Sequence, residues 1–223
     1  MSYLWNEFNI KTFPAETIVF RDGIYMADLS TLENAPIDKN YDLPVHIIYI
    51  GEITGKNRLN IDVLVKNQKV FFSADIKIKK PAFLNIFIKN AGKNSEIYGQ
   101  VMITNENEFE YDCTAHHTEK NTGIFVKTKL FGRENSKSKL SGTAIIDNGC
   151  DGCESDIGFS ALAEQNAKIE FMPSQRISAE PISAEHSASI YRPNDAQILF
   201  LRQAGLSGEE VNNAMIEAFK NDF

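Results

Sequence analysis

In Leu59-Asn-Ile-Asp-Val-Leu-Val65, Leu59, Ile61, Val63 and Val65 alternate with Asn60, Asp62 and Leu64. Apolar side chains at every second residue mark a strand with one buried face. Working outward, the same habit recurs in Val70-Phe-Phe-Ser-Ala-Asp-Ile-Lys-Ile-Lys79, Ala82-Phe-Leu-Asn-Ile-Phe-Ile-Lys89 and Ile97-Tyr-Gly-Gln-Val-Met-Ile-Thr104. It continues through Phe109–Cys113, Gly123–Leu130 and Gly142–Ile146, with turns such as Lys89-Asn-Ala-Gly-Lys-Asn94 between runs. On the N-terminal side, Thr17-Ile-Val-Phe-Arg-Asp-Gly-Ile-Tyr-Met-Ala27 reads as two strands joined at Asp22-Gly23, a favoured hairpin turn. Many short strands with little helical signal predict a sandwich, a barrel or a stacked β-solenoid, and the period alone does not choose among them. No repeat is strict enough to see by eye, which excludes a regular hexapeptide solenoid and leaves an irregular one.

The last thirty or so residues change character. Beyond Pro193, Asn194-Asp-Ala-Gln-Ile-Leu-Phe-Leu-Arg-Gln-Ala204 predicts a helix capped by Asn194 or Asp195 and ended at Gly205. Ser207-Gly-Glu-Glu210 fits a capping box for a second helix. Val211, Ala214, Met215, Ala218 and Phe219 then form one apolar stripe, suited to packing on the chain's own body or to docking a partner. The expected division is a β core over residues 1–190 and a helical segment over 191–223.

Charge follows that division. The 223 residues carry 30 acids and 23 bases, a net charge of −7. Residues 1–150 hold equal numbers of each, so the whole excess lies beyond residue 150. Without a basic block, a nucleic-acid clamp is excluded. Met1–Lys11 lacks the positive start and apolar run of a secretory leader. Runs such as Val45-His-Ile-Ile-Tyr-Ile50 fall far short of the roughly 20 residues needed to cross a bilayer. Three cysteines fit a disulfide framework poorly. The expected location is the reducing cytoplasm.

Few residues point to chemistry by themselves. Cys150-Asp-Gly-Cys153 has the spacing of a metal-binding or redox pair, but no second such pair completes a zinc site. Cys113 and the His116-His117 pair could join it only through folding. His186 follows Glu185 directly, and strand neighbours face opposite ways, so the two are no catalytic pair. Gly51-Glu-Ile-Thr-Gly-Lys56 is one residue short of a phosphate-binding loop and has Asn57 where Ser or Thr is needed. No nucleophile elbow or zinc-protease motif occurs. Nothing here assembles an enzyme.

Ala184-Glu-His-Ser-Ala-Ser189, a short spacer and Leu199-Phe-Leu-Arg-Gln-Ala-Gly-Leu-Ser207 together resemble the C-terminal signature of the SufB/SufD family of iron–sulfur cluster assembly proteins. Glu210-Val-Asn-Asn-Ala-Met-Ile-Glu-Ala-Phe219 resembles that family's closing helix, with Ala218 in place of a glycine. His117-Thr-Glu-Lys-Asn-Thr122 is similar to its H-x-x-x-N-T segment, and Pro173 falls at a family proline. The likeness is strongest over 110–223. Earlier, Ile18–Tyr25 and Pro44–Ile50 look like the family's first strands. The chain starts nearer the core than typical members, which carry a further N-terminal helical region.

The resemblance implies a right-handed parallel β-helix with a small C-terminal helical domain, paired through its β-helix with a copy of itself or a SufB-like paralogue. It implies docking of a SufC-like ABC ATPase by Leu199, Phe200, Leu201, Gly205, Leu206, Val211, Met215 and Phe219, with the nucleotide held by that partner and none by this chain. At Gly158, fifteen residues before Pro173, the scaffold paralogue carries a cysteine; the accessory, SufD-like paralogue instead offers the signature histidine, here His186. Cys153 reaches the cysteine position only with a five-residue shift. A transient iron–sulfur cluster or iron at a subunit interface would then involve His186, with Glu185, His117, Cys150 and Cys153 as further candidates. The other expectation is a β-solenoid module that binds proteins or carbohydrate without iron–sulfur chemistry.

Overall fold

The computed structural model describes residues 16–221; the N-terminal stretch read above for a leader lies outside them. Thirteen strands precede two helices. They are β1 (Thr17–Arg21), β2 (Ile24–Tyr25), β3 (Val45–Glu52), β4 (Gly55–Val63), β5 (Lys69–Ile78), β6 (Ala82–Asn90) and β7 (Glu96–Asn105). Then follow β8 (Glu108–His117), β9 (Gly123–Gly132), β10 (Lys137–Ile146), β11 (Glu154–Ala163), β12 (Lys168–Ile177) and β13 (Ser183–Tyr191), and the helices α1 (Asp195–Gln203) and α2 (Gly208–Asn221).

Successive strands alternate between two sheets. One runs β13-β11-β9-β7-β5-β3-β1-β2 and the other β12-β10-β8-β6-β4. Every pairing is parallel except β1 with β2. The chain therefore winds as a flattened parallel β-solenoid of about 6 turns, 55% strand. That settles the three-way choice left by the periodicity.

The core lies between the sheets, where strand alternation turns one set of side chains inward. Leu84, Ile86 and Ile88 of β6 meet Phe72, Ala74 and Ile76 of β5 in one continuous apolar cluster. On the outer face of the larger sheet His46, Phe71, Tyr98 and Phe125 stack in register, with centroids 5.3, 5.6 and 5.0 Å apart. The four rings form one continuous aromatic ladder across the sheet.

The corners explain why no repeat was visible. Lys69 pairs with Glu96 and Glu96 with Gly123, a step of 27 residues, but Gly123 pairs with Glu154, a step of 31. Where the step holds, Lys66-Asn67-Gln68, Lys93-Asn94-Ser95 and Lys120-Asn121-Thr122 recur at 27 residues. The asparagines take φ of 59°, 59° and 54°, a left-handed turn that Asn tolerates better than most residues. Their amides bond along the column, Asn94 to Asn67 at 3.2 Å and Asn121 to Asn94 at 3.4 Å. Gly152, with φ of +74°, continues it; a Cβ there would lie 2.2 Å from the Asn121 amide oxygen.

At the first turn, Asp22-Gly23 makes the expected hairpin, pairing Phe20 with Tyr25 and Arg21 with Ile24. Both caps at the other end also form as read. Asn194 accepts from the Gln197 amide while the Gln197 side chain returns to the cap. Ser207 and Glu210 bond reciprocally at 2.7 and 3.3 Å. The apolar stripe of α2 splits. Val211 is buried and Met215 and Phe219 half-buried, whereas Ala214 and Ala218 face solvent. The body meets only one flank of the stripe: Lys129 of β9 donates to the Phe219 carbonyl and lies 5.0 Å from its ring. Neither helix is long and apolar enough to cross a membrane.

Candidate functional site

Among the described residues the solenoid ends on β12 and β13, with no further turn stacked on them. Apolar side chains around both edges are left exposed. Met172 and Ile177 on β12 are 36% and 38% exposed, and Ile190 and Tyr191 on β13 are 45% and 44% exposed. An exposed apolar edge is what soluble proteins normally blunt, because it templates further strand association. Alternation shows that these residues are apolar; it does not show that nothing lies above them, so the sequence reading passed over all four.

His186 sits within this last turn, paired with Ile157 of β11. Both its ring nitrogens are buried without a hydrogen bond of good geometry. Burial lowers its pKa, while backbone groups of Ser174 and Ile157 and the Asp156 charge pull the other way and lose. The ring is therefore a neutral imidazole at neutral pH, the form that ligates a metal. Glu185 is exposed beside it and pairs in register with Asp156, which Lys127 holds at 2.5 Å. Glu185 and His186 thus point apart, as alternation requires. Gly158 pairs with Ser187, one step along from His186, and a Cβ there would meet the Ser187 hydroxyl at 2.7 Å and Lys127 at 2.8 Å. The position matched to the scaffold cysteine faces the opposite side of the sheet from His186.

A second cluster fills one corner of the solenoid. Cys150 and Cys153 are free, buried and packed with Ile146 against Ala179 and Ala184. Cys153 Sγ donates to the Glu119 carbonyl at 3.3 Å and lies 3.2 Å from the Thr122 hydroxyl. Thr122 in turn bonds His117 Nδ1 at 2.8 Å. His117 is fully buried, its Nε2 has no partner, and burial lowers its pKa to about 4 with His116 adding to the effect. Its register partner one turn back is Asn90, whose amide bonds the Ser95 and Gly123 carbonyls of the corresponding corner. His117 therefore closes a corner as Asn90 does, a structural office that the column makes visible and the lone residue does not. Cys113 is buried in the main core, its thiol pushed up to about 12 by desolvation.

The residues predicted to dock a partner divide by exposure. Leu199 and Phe200 are 56% and 70% exposed, Leu201 and Leu206 half-buried, and Gly205 exposed with φ of +94°. Val211, Met215 and Phe219 turn to the body. Between the helices and the end of β11 lies a cleft of about 540 Å³ lined in part by Arg192, Ile198, Arg202 and Met215. Among the described residues no three His, Cys, Asp or Glu side chains converge as metal donors. The structure brings His117 toward Cys153 through Thr122 and does not bring His186 to a second donor.

The family model described as SUF system FeS cluster assembly, SufBD core domain, matches residues 57–219. That span runs from β4 into α2 and takes in both the last turn and the helices. The chain belongs to the SufBD family. SufBD membership gives it a role in iron–sulfur cluster assembly. No curated protein matches the sequence. Within the matched span, the last turn and the outward Leu199 and Phe200 present exposed apolar side chains.

Proposed function

We propose that this protein is a non-catalytic component of a cytoplasmic iron–sulfur assembly complex. It pairs through β12 and β13 with a second copy or a SufB-like paralogue, and docks a SufC-like ABC ATPase through α1 and the turn that follows it. The observation that carries this is the last turn itself: an apolar edge surrounds a half-buried, neutral histidine whose ring nitrogens lack a well-formed hydrogen bond. A cluster or iron handled there is cargo, and the described residues bring too few donors together to hold it alone. His186 is the donor that a pairing chain would complete, since imidazole suits iron and thiolate suits clusters. The accessory, SufD-like role follows from Gly158, which offers no thiol.

Anaerobic reconstitution of the paired complex with ferrous iron and sulfide tests the cargo role. His186→Ala is expected to lower bound iron at least severalfold while the complex stays assembled. Equal iron in the two proteins removes His186 from the site.

A further inference from the structure

We infer that Cys150 and Cys153 form an oxidation site for small-molecule disulfides, and that their disulfide loosens the strand that carries His186. Asp151 and Gly152 are the turn residues between the two cysteines, with Gly152 at φ +74°. Such a turn keeps the first and fourth Cα atoms within about 7 Å, which is the span a disulfide bridges. Both thiols belong to one buried cluster, so no other chain has to supply a sulfur.

This corner supports the start of β13. Ile182 N–H donates to the Cys153 carbonyl at 2.9 Å and Gly152 N–H to the Glu180 carbonyl at 3.0 Å. The Asp151 carboxylate accepts from the Glu180 amide at 3.3 Å, and Ala184 packs against the thiols. Closing the disulfide removes the thiol hydrogen that bonds the Glu119 carbonyl and draws the two sulfurs to about 2 Å. Cys153 loses its bond to Glu119 while its own carbonyl anchors Ile182 and the adjoining Gly152 anchors Glu180. The change at sulfur therefore falls on the residue from which the start of β13 hangs.

The exchange balances as follows. The Cys150 thiolate attacks one sulfur of the oxidant and releases one thiolate; the Cys153 thiolate then attacks the Cys150 sulfur of the mixed disulfide and releases the second. Two protons leave the cysteines, the two released thiolates take them up, and two electrons reduce the oxidant. Burial first, and the neighbouring Cys153 second, push the Cys150 thiol up, so exchange proceeds from an opened corner and is slow.

The test treats the reduced full chain with oxidised glutathione, then denatures, alkylates and maps it by mass spectrometry. Expected are loss of alkylation at Cys150 and Cys153, a peptide linking them, and Cys113 still alkylated. Three alkylated cysteines, or a glutathione adduct with no link, overturns the site. Hydrogen exchange on the same samples reads the coupling: amides from Ile182 to His186 should exchange roughly tenfold faster when oxidised. Unchanged exchange, or the same acceleration in Cys150→Ala, overturns the coupling. Neither measurement involves iron or a partner, so failure here is distinct from failure of the assembly role.

Discussion

At the scale of single residues, burial decides protonation. His117 binds its proton at about 4 when folded and near 6.5 when unfolded. Between those values the unfolded chain takes up a proton that the folded chain refuses. Its contribution is thus fully present above pH 6.5 and is lost as pH falls toward about 4, by roughly 3 kcal/mol in all. His46 and His186 are shifted in the same direction by burial and add to the loss that begins below pH 6.5. His117→Asn, which copies Asn90, should retain the corner bond and flatten the acid side of the stability profile relative to the parent. Denaturant unfolding from about pH 7 to about pH 4 checks this; parallel profiles for the two proteins would assign the acid loss to other groups.

At the scale of elements, the corners and helices carry separable costs. Asn94 sits at φ 59° and bonds its neighbours in the asparagine column. Asn94→Ala should cost about 1–2 kcal/mol from the left-handed backbone alone, and Asn94→Gly distinctly less; chemical denaturation of both separates backbone strain from the lost amide bonds. The helices predict opposite outcomes for two apolar residues. Phe200→Asp, at an exposed site, should leave the melting temperature within a degree or two and abolish co-purification with an ABC-type ATPase. Val211→Asp, at a buried one, should lower the melting temperature sharply. If Phe200→Asp retains full ATPase binding, α1 is not the dock.

At the scale of the whole molecule, the two ends of the solenoid differ. Among the described residues its first turn carries the β1–β2 hairpin, while its last turn presents Ile177, Ile190 and Tyr191. An open end of this kind predicts pairing. Ile177→Lys combined with Ile190→Lys should convert a dimer to a monomer in light scattering, with an unchanged strand signal in circular dichroism. A double variant that stays dimeric would place the pairing surface elsewhere.

The elements themselves were legible in the chain. Period-two alternation located β4 to β10, Asp22-Gly23 announced its hairpin, and both helix caps were read from Asn194 and from Ser207 with Glu210. These are local decisions, made between residues a few positions apart through main-chain geometry and nearest side chains. The winding of the strands into two sheets, the column through Asn67, Asn94 and Asn121, the contact of Thr122 with both His117 and Cys153, and the absence of a turn above His186 were decided only by the tertiary structure. Each depends on register between strands 25 to 31 residues apart, and corners of unequal length hide that register from any inspection of sequence spacing. The alternation along β13 says which side of the sheet His186 occupies; only the stacked turns say that this side is the last one.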